Sequence, residues 1–330
     1  MVPLWLAPLI LAAQPCQPLA EGARQALAQK NHDAAAAGFR RALGACPQQR
    51  GLLLELAQAL TYQRKFDEAA KAAGEFLSAE PDSERGLLVL ANTHLMAQRL
   101  DEALKLADRI LAANARHVGA LQMRGNILYL RGEEGPAVET FQRAIEIDPK
   151  NEDALYSLGR VFYQINRFEP AIAQFRGVLA LNPKSYKAYD NLGLCYEALA
   201  KDEEAIRHYL KALDLVHKDH RDYDWPYANL ANLMLKRDEN EKAFQLASEA
   251  AVRNPSSARN YFLTGKALAR LEKIELSVKW LRQSAEIDPA YPEPHYLLGQ
   301  LYAKQGRKQE AEREFQIFQE LKAKAPRERR

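Results

Sequence analysis

The sequence predicts an all-α fold, a solenoid of about nine helix-turn-helix repeats, and three observations carry that prediction. The first is a beat. A small residue recurs at Ala35, Ala69, Ala103, Ala137, Ala171 and Ala205, each 34 positions after the last, and the beat resumes at Ala243, Ser277 and Ala311. Second, repeats counted from residues 16, 50, 84, 118, 152, 186, 224, 258 and 292 have a small eighth position every time: Ala23, Ala57, Ala91, Gly125, Gly159, Gly193, Ala231, Gly265 and Gly299. Third, Pro47, Pro81, Pro149, Pro183, Pro255 and Pro289 punctuate the boundaries, where proline cannot continue a helix but suits the turn and the start of the next one. A fixed period of this kind means one supersecondary unit stacked on copies of itself to bury its apolar face.

Within each repeat the small eighth residue lets the two helices of a hairpin approach. Positions twenty, twenty-four and twenty-seven, as in Ala137, Phe141 and Ala144, or Ala171, Phe175 and Val178, fall on one face of the second helix and form the core stripe. Repeats one to six occupy residues 16–219 and repeats seven to nine residues 224–325, followed by a basic tail at 326–330. Between them, surplus residues 220–223 break the rhythm within LVHKDHRDYDWPY (Leu215 to Tyr227) and predict a hydrated hinge between two half-arrays. Pro226 suits the first turn of the following helix, and Trp225 stands at its lip as a partner anchor.

Segments such as AIEIDPKN (Ala144 to Asn151) and YSLGRVFY (Tyr156 to Tyr163) resemble the tetratricopeptide repeat family, and with nine repeats in register the resemblance covers essentially the whole chain after its first residues. It implies a right-handed α-solenoid superhelix whose first helices line a concave groove at positions two, five, nine, twelve and thirteen. In repeats five to eight those positions, with the sixth, include Tyr156, Arg160, Tyr163, Lys187, Asp190, Asn191, Trp225, Asn229, Asn232, Lys236, Arg259, Phe262, Lys266 and Arg270. The lining is polar, aromatic and mostly cationic. Asn191 and Asn229 share the sixth position of consecutive repeats, and an amide can bond an extended peptide backbone through both donor and acceptor. This is similar to the asparagine ladder of the O-linked GlcNAc transferase superhelix and to the carboxylate clamp of chaperone adaptors. Asn232 departs from the clamp, since Ala228 stands where that pattern has Lys. The alternative for these Asn and Lys residues is a solvated helix face.

Composition bounds the function. The 330 residues are 47% hydrophobic and 27% charged, with a formal charge of +3, and the basic residues are interleaved with acids, which does not predict a nucleic-acid partner. No transmembrane span is expected in the mature chain. Only Arg327, Arg329 and Arg330 make a locally basic end. Residues 1–13, MVPLWLAPLILAA, have the apolar character of a secretory signal, with cleavage after Ala13 or Ala20, and this predicts a periplasmic or secreted protein. The stretch has no basic residue ahead of it; a misassigned start, and a cytoplasmic protein, is the other reading.

Cys16 opens the first hairpin and Cys46 follows its second helix. Antiparallel helices bring those ends together, so the two thiols either close a disulfide in an oxidising compartment or stay free. Cys195 reads as a small buried filler and His94 as a satisfied interior side chain. His217 and His220 could face one way as metal ligands, but no Glu or Cys completes a motif, so no metal is predicted. No phosphate loop, CxxC pair, HExxH or nucleophile elbow occurs, and neither a cofactor nor catalysis is expected. The last helix shows Phe315, Phe318 and Leu321, which are either shielded by long Lys and Glu stems or stack on another copy.

The function these features predict is a non-catalytic scaffold of the bacterial cell envelope. It would bind a protein or peptide segment, acidic or carboxylate-ended, in the groove of repeats five to eight. A self-assembling spacer that associates through Phe318 and Leu321, or an accessory subunit of an envelope transferase or assembly complex, are the alternatives.

Overall fold

The computed structural model describes residues 16–220 and 222–324. The proposed signal segment 1–13 and the basic tail 326–330 lie outside the described residues. Eighteen helices are present among those described, in nine hairpins. They are α1 (Cys16–Ala28) with α2 (His32–Ala45), α3 (Gly51–Tyr62) with α4 (Phe66–Ala79), α5 (Glu84–Met96) with α6 (Leu100–Ala113), and α7 (Val118–Leu130) with α8 (Glu134–Ile147). The series continues with α9 (Glu152–Gln164) and α10 (Phe168–Leu181), α11 (Tyr186–Ala198) and α12 (Asp202–Asp219), α13 (Trp225–Lys236) and α14 (Asn240–Arg253), α15 (Ala258–Arg270) and α16 (Ile274–Ile287), and α17 (Glu293–Lys304) and α18 (Lys308–Lys324). By compactness the chain divides into two halves, one up to Val161 and one from Phe162.

Each hairpin closes by an exchange of volume between its two helices. At Gly125 an added Cβ would lie 2.7 Å from the Phe141 ring, at Gly265 2.7 Å from Leu281, and at Gly299 2.6 Å from Phe315. Gly193 meets the Tyr209 ring in the same way. The large partner is always the twenty-fourth residue of the same repeat. Where the eighth residue is Ala57, Ala91 or Ala231, the twenty-fourth is the buried Ala73, Ala107 or Ala247. The first repeat has Ala23 with Phe39 and recovers the room at Gly38, where an added Cβ would be 2.8 Å from that of Ala23. Gly193→Ala should therefore destabilise the protein by about 1–3 kcal/mol, the usual cost of overpacking a filled core. Adding Tyr209→Leu should return part of that loss. Urea unfolding of the single and double variants checks this, and an unperturbed single variant would contradict it.

The fifteenth residue of every repeat ends the first helix with a left-handed backbone. These residues are Lys30, Arg64, Gln98, Gly132, Asn166, Ala200, Asp238, Glu272 and Gly306, with φ between 55° and 76°. The residue after each donates its N–H five residues back, as Lys65 does to the Leu60 carbonyl at 2.9 Å, which is a Schellman stop. Only two of the nine are glycine, although this conformation costs other L-residues roughly 1–2 kcal/mol. Ala200, exposed and without a side chain that can bond locally, gains least from staying as it is. Ala200→Gly should stabilise the chain by about 0.5–1 kcal/mol net of glycine's extra entropy, read as a higher urea midpoint.

In the first half, α1 to α5 share one apolar core that includes Cys16, Phe39, Cys46, Leu54, Leu60 and Phe76. Cys16 and Cys46 are joined as a disulfide with Cα atoms 5.8 Å apart. His94 is only half-buried, and its Nδ1 is enclosed without a hydrogen-bond partner among the described residues, so the expectation of a satisfied interior histidine is corrected. Burial, and then the Arg99 guanidinium, hold that imidazole below its ordinary value.

In the second half Cys195 is fully buried, and burial pushes its thiol up to about 12. Ser277, the one hydroxyl in the small-residue beat, bonds the Gly265 carbonyl at 2.7 Å and so satisfies its buried oxygen. α12 has 18 residues and ends just before the surplus residues, whereas α10, α14 and α16 have 14. The His220 and Tyr223 rings pack on Tyr186 at 4.3 and 4.7 Å, and the Tyr223 hydroxyl donates to Asp190. At the C-terminal end Phe318 is half-buried against Tyr296, 5.0 Å away, with the Lys322 ammonium 5.9 Å over its ring.

Candidate partner-binding surface

The first helices of repeats six, seven and eight, α11, α13 and α15, place most of the predicted groove residues within the second half. A chain of polar contacts joins them. Asp190 on α11 is 3% exposed; its Oδ1 accepts from Asn229 Nδ2 at 2.9 Å and its Oδ2 from the Tyr223 hydroxyl at 3.4 Å. Asn229 Oδ1 in turn accepts from Arg259 Nη2 at 2.9 Å. The Arg259 guanidinium lies 5.5 Å over the Trp225 ring, which is 52% exposed on α13. Burial pushes the Asp190 carboxyl up to about 7, against the Asn229 and Tyr223 hydrogen bonds and the Arg259 charge, which hold it down.

This geometry corrects the asparagine ladder. Asn229 is 3% exposed with both ends of its amide engaged, and Asn191 turns its Nδ2 back to the Lys187 carbonyl of its own helix at 2.8 Å. A buried carboxylate one repeat earlier needs donors, and Asn229 supplies one. Asp190 itself was expected on the groove lining and lies beneath it. Asn232 is half-buried and Lys187 exposed.

The cationic set also divides. Lys236 Nζ is 2.7 Å from Glu197 Oε1, whose other oxygen accepts from the Tyr209 hydroxyl at 2.8 Å. Arg270 donates to the Leu235 carbonyl at the turn of the preceding repeat and reaches Asp238 at 3.5 Å. Lys266 differs. Its ammonium is half-buried, 5.8 Å over the Phe262 ring, with no carboxylate in ion-pair reach among the described residues. Burial, then the charges of Arg270 and Lys236, hold its pKa below the ordinary lysine value. Phe262 meets Tyr291 edge-on at 5.5 Å, and burial pushes the Tyr291 phenol up to about 12.

Tyr163 packs on Phe168 at 5.7 Å, and burial followed by the nearby Cys195 and Glu197 pushes its phenol up. Tyr156 and Arg160 lie in the first half, where the Arg160 guanidinium sits 5.6 Å over the Tyr129 ring.

Sequence reasoning missed a second buried carboxylate. Asp224, 6% exposed just before α13, accepts from Asn260 Nδ2 at 2.6 Å and Asn254 Nδ2 at 3.3 Å. Asn260 Oδ1 is left without a partner among the described residues. Nothing in the repeat pattern marks these positions as polar core. Among the described residues no group of His, Cys, Asp and Glu is arranged to hold a metal ion. His217 Nδ1 faces Arg253 at 3.4 Å, and no described helix is long and apolar enough to cross a membrane.

Family models agree with the repeat register. A "Tetratricopeptide repeat" model matches residues 54–117 and 156–219, a "TPR repeat" model residues 125–166 and 265–306, and a further "Tetratricopeptide repeat" model residues 292–323. Together they span more than half of the chain. No curated protein matches it. Among solved structures, a tetratricopeptide repeat protein from Parabacteroides merdae is 18% identical with a TM-score of 0.59, over 78% of this chain and 100% of that one. A chain of the APC/C hetero-tetramer is 16% identical with a TM-score of 0.64, over 82% of this chain and 52% of that one. At these identities the likeness is one of fold. With nine helix-turn-helix hairpins in register and family models matched over more than half its length, the chain belongs to the tetratricopeptide repeat family of protein-interaction scaffolds.

Proposed function

We propose that the second half binds an acidic or carboxylate-ended segment of a partner protein along α11, α13 and α15. The observation that carries this is Lys266. A half-buried ammonium with no carboxylate in ion-pair reach among the described residues, pressed by two other cations, gains most from an arriving anion. Phe262 beside it, the Tyr291 ring, and the exposed Trp225 held by Arg259 supply apolar and aromatic anchors. Arg259 keeps part of its guanidinium for a ligand. Lys236 and Arg270 act at longer range, since each already has an internal partner.

The chain is exported to the cell envelope in this reading. The apolar residues 1–13 and the pairing of Cys16 with Cys46 support it, and cleavage after Ala13 keeps Cys16 whereas cleavage after Ala20 would remove it.

Fluorescence anisotropy with labelled acidic peptides, their C termini free or amidated, tests the binding. Lys266→Glu and Phe262→Ala should each weaken the best peptide about tenfold or more, as loss of a charge-assisted contact or a buried anchor does. Equal affinity of Lys266→Glu and the parent chain for every peptide would overturn the proposal.

A further inference from the structure

A second cleft, of about 540 Å³, lies between α10, α11 and α12 and shares no lining residue with the groove set described above. Its wall is aromatic. The His208 ring stands 5.0 Å from Tyr196 and 6.3 Å from Tyr189. His208 is held in place by its Nδ1, which faces the Glu204 carbonyl at 2.8 Å and therefore carries the proton there. Tyr196 is only 7% exposed, and its hydroxyl oxygen accepts from Arg176 Nη2 at 2.8 Å. A phenol that accepts from a guanidinium is polarised, and its own proton is directed away from that donor. Around these rings stand Arg176, Lys201 and Arg207, against the single carboxylate of Glu204, which is 3.5 Å from Arg207. Two cations thus have no counter-charge in the lining.

The repeat supplies an internal control. The Arg-to-Tyr contact recurs three repeats later, where Arg282 Nε donates to the Tyr302 hydroxyl at 2.9 Å. The residue equivalent to Lys201 is there Arg307, which pairs with Glu310 and covers the Tyr302 ring at 4.3 Å. The residues equivalent to Tyr189 and His208 are His295 and Glu314, paired at 2.7 Å. Glu310 has its sixth-repeat counterpart in Glu204, which lies near Arg207 instead; what the ninth repeat adds is the His295 and Glu314 pair and the Arg307 guanidinium laid over the ring, which fill the same positions from within. In the sixth they are open, ring-walled and cationic.

We propose that this cleft is a binding site for a phosphate monoester carried on a planar ring. The ring lies against the Tyr189, Tyr196 and His208 wall, and the phosphate oxygens accept from Arg176, Lys201 and the Tyr196 hydroxyl. A volume of a few hundred Å³ suits a ligand of that size.

Isothermal titration calorimetry of the full chain with phenyl phosphate tests it, with inorganic phosphate alongside. Saturable one-site binding is expected, at least tenfold tighter for phenyl phosphate than for inorganic phosphate. Arg176→Ala should weaken it tenfold or more. His208→Glu, which installs the carboxylate found in the ninth repeat, should do the same. Lys201→Glu, on an exposed side chain, repeats the test without touching the packed wall, and Lys266→Glu should leave the titration unchanged. Absence of saturation with phenyl phosphate would overturn the assignment. So would undiminished binding by Lys201→Glu or His208→Glu. Loss of binding in Lys266→Glu would place the anion elsewhere and also overturn it.

Discussion

Asp190→Asn is expected to raise stability at about pH 8.5 by roughly 2–4 kcal/mol and to flatten the pH dependence of unfolding in the second half. The carboxyl ordinarily titrates near 3.8, and burial beneath α11 and α13 pushes it up to about 7. Between those two values the folded chain holds a proton that the unfolded chain has released. The contribution is therefore fully present below about pH 4 and is lost as pH rises through 7. Above that, an ionised carboxylate must be kept 3% exposed with Asn229 and Tyr223 as donors and Arg259 one bond further off. An amide at this position keeps the Asn229 contact and carries no charge to desolvate. Melting curves at pH values from 5 to about 8.5 decide the matter: if the variant fell in stability with pH as steeply as the parent, Asp190 would not be the titrating group.

The second large effect concerns the first repeat. Reduction of the chain, or Cys46→Ser, should cost about 3–4 kcal/mol, the loop-closure entropy released when a cross-link spanning 30 residues is lost. In a solenoid each repeat is stabilised mainly by its neighbours, so the loss should stay local. Hydrogen exchange should quicken in α1 and α2 on reduction while the second half keeps its protection. Unchanged protection of α1 and α2 would show that the hairpin, with Phe39 and Ala23 packed against Gly38, holds without the bridge.

How far the fold was legible follows from what the period encodes. Side-chain size at positions eight, twenty and twenty-four is written directly in residue type, so the hairpins, their order and the lengthened sixth repeat follow from the letters. The left-handed fifteenth position is not written that way. Lys30, Gln98 and Glu272 are residues of ordinary helix text, and the conformation is imposed by the Schellman bonds of the preceding helix. The candidate site was legible as a set of positions but not as a set of free groups. Asn229 occupies a facing position by count, yet Asp190 draws its amide inward. Lys236 is taken by Glu197, 39 residues earlier. That separation is the 34-residue period lengthened by the four surplus residues and by one further position, since Glu197 is twelfth in its repeat and Lys236 thirteenth. Lys266 stands out only after these internal pairings are subtracted.

The exchange of volume between the eighth and twenty-fourth residues is completed inside one hairpin, as with Gly193 and Tyr209 or Gly265 and Leu281. A whole 34-residue segment can then be duplicated, deleted or moved within the gene without leaving a hole or a clash in its own core. A glycine and its ring must travel together, whereas the residues that join one hairpin to the next are free to diverge after each copy. Lengthening such a chain asks little of its interior, and new recognition chemistry can arise in a single copy, as between the sixth and ninth repeats.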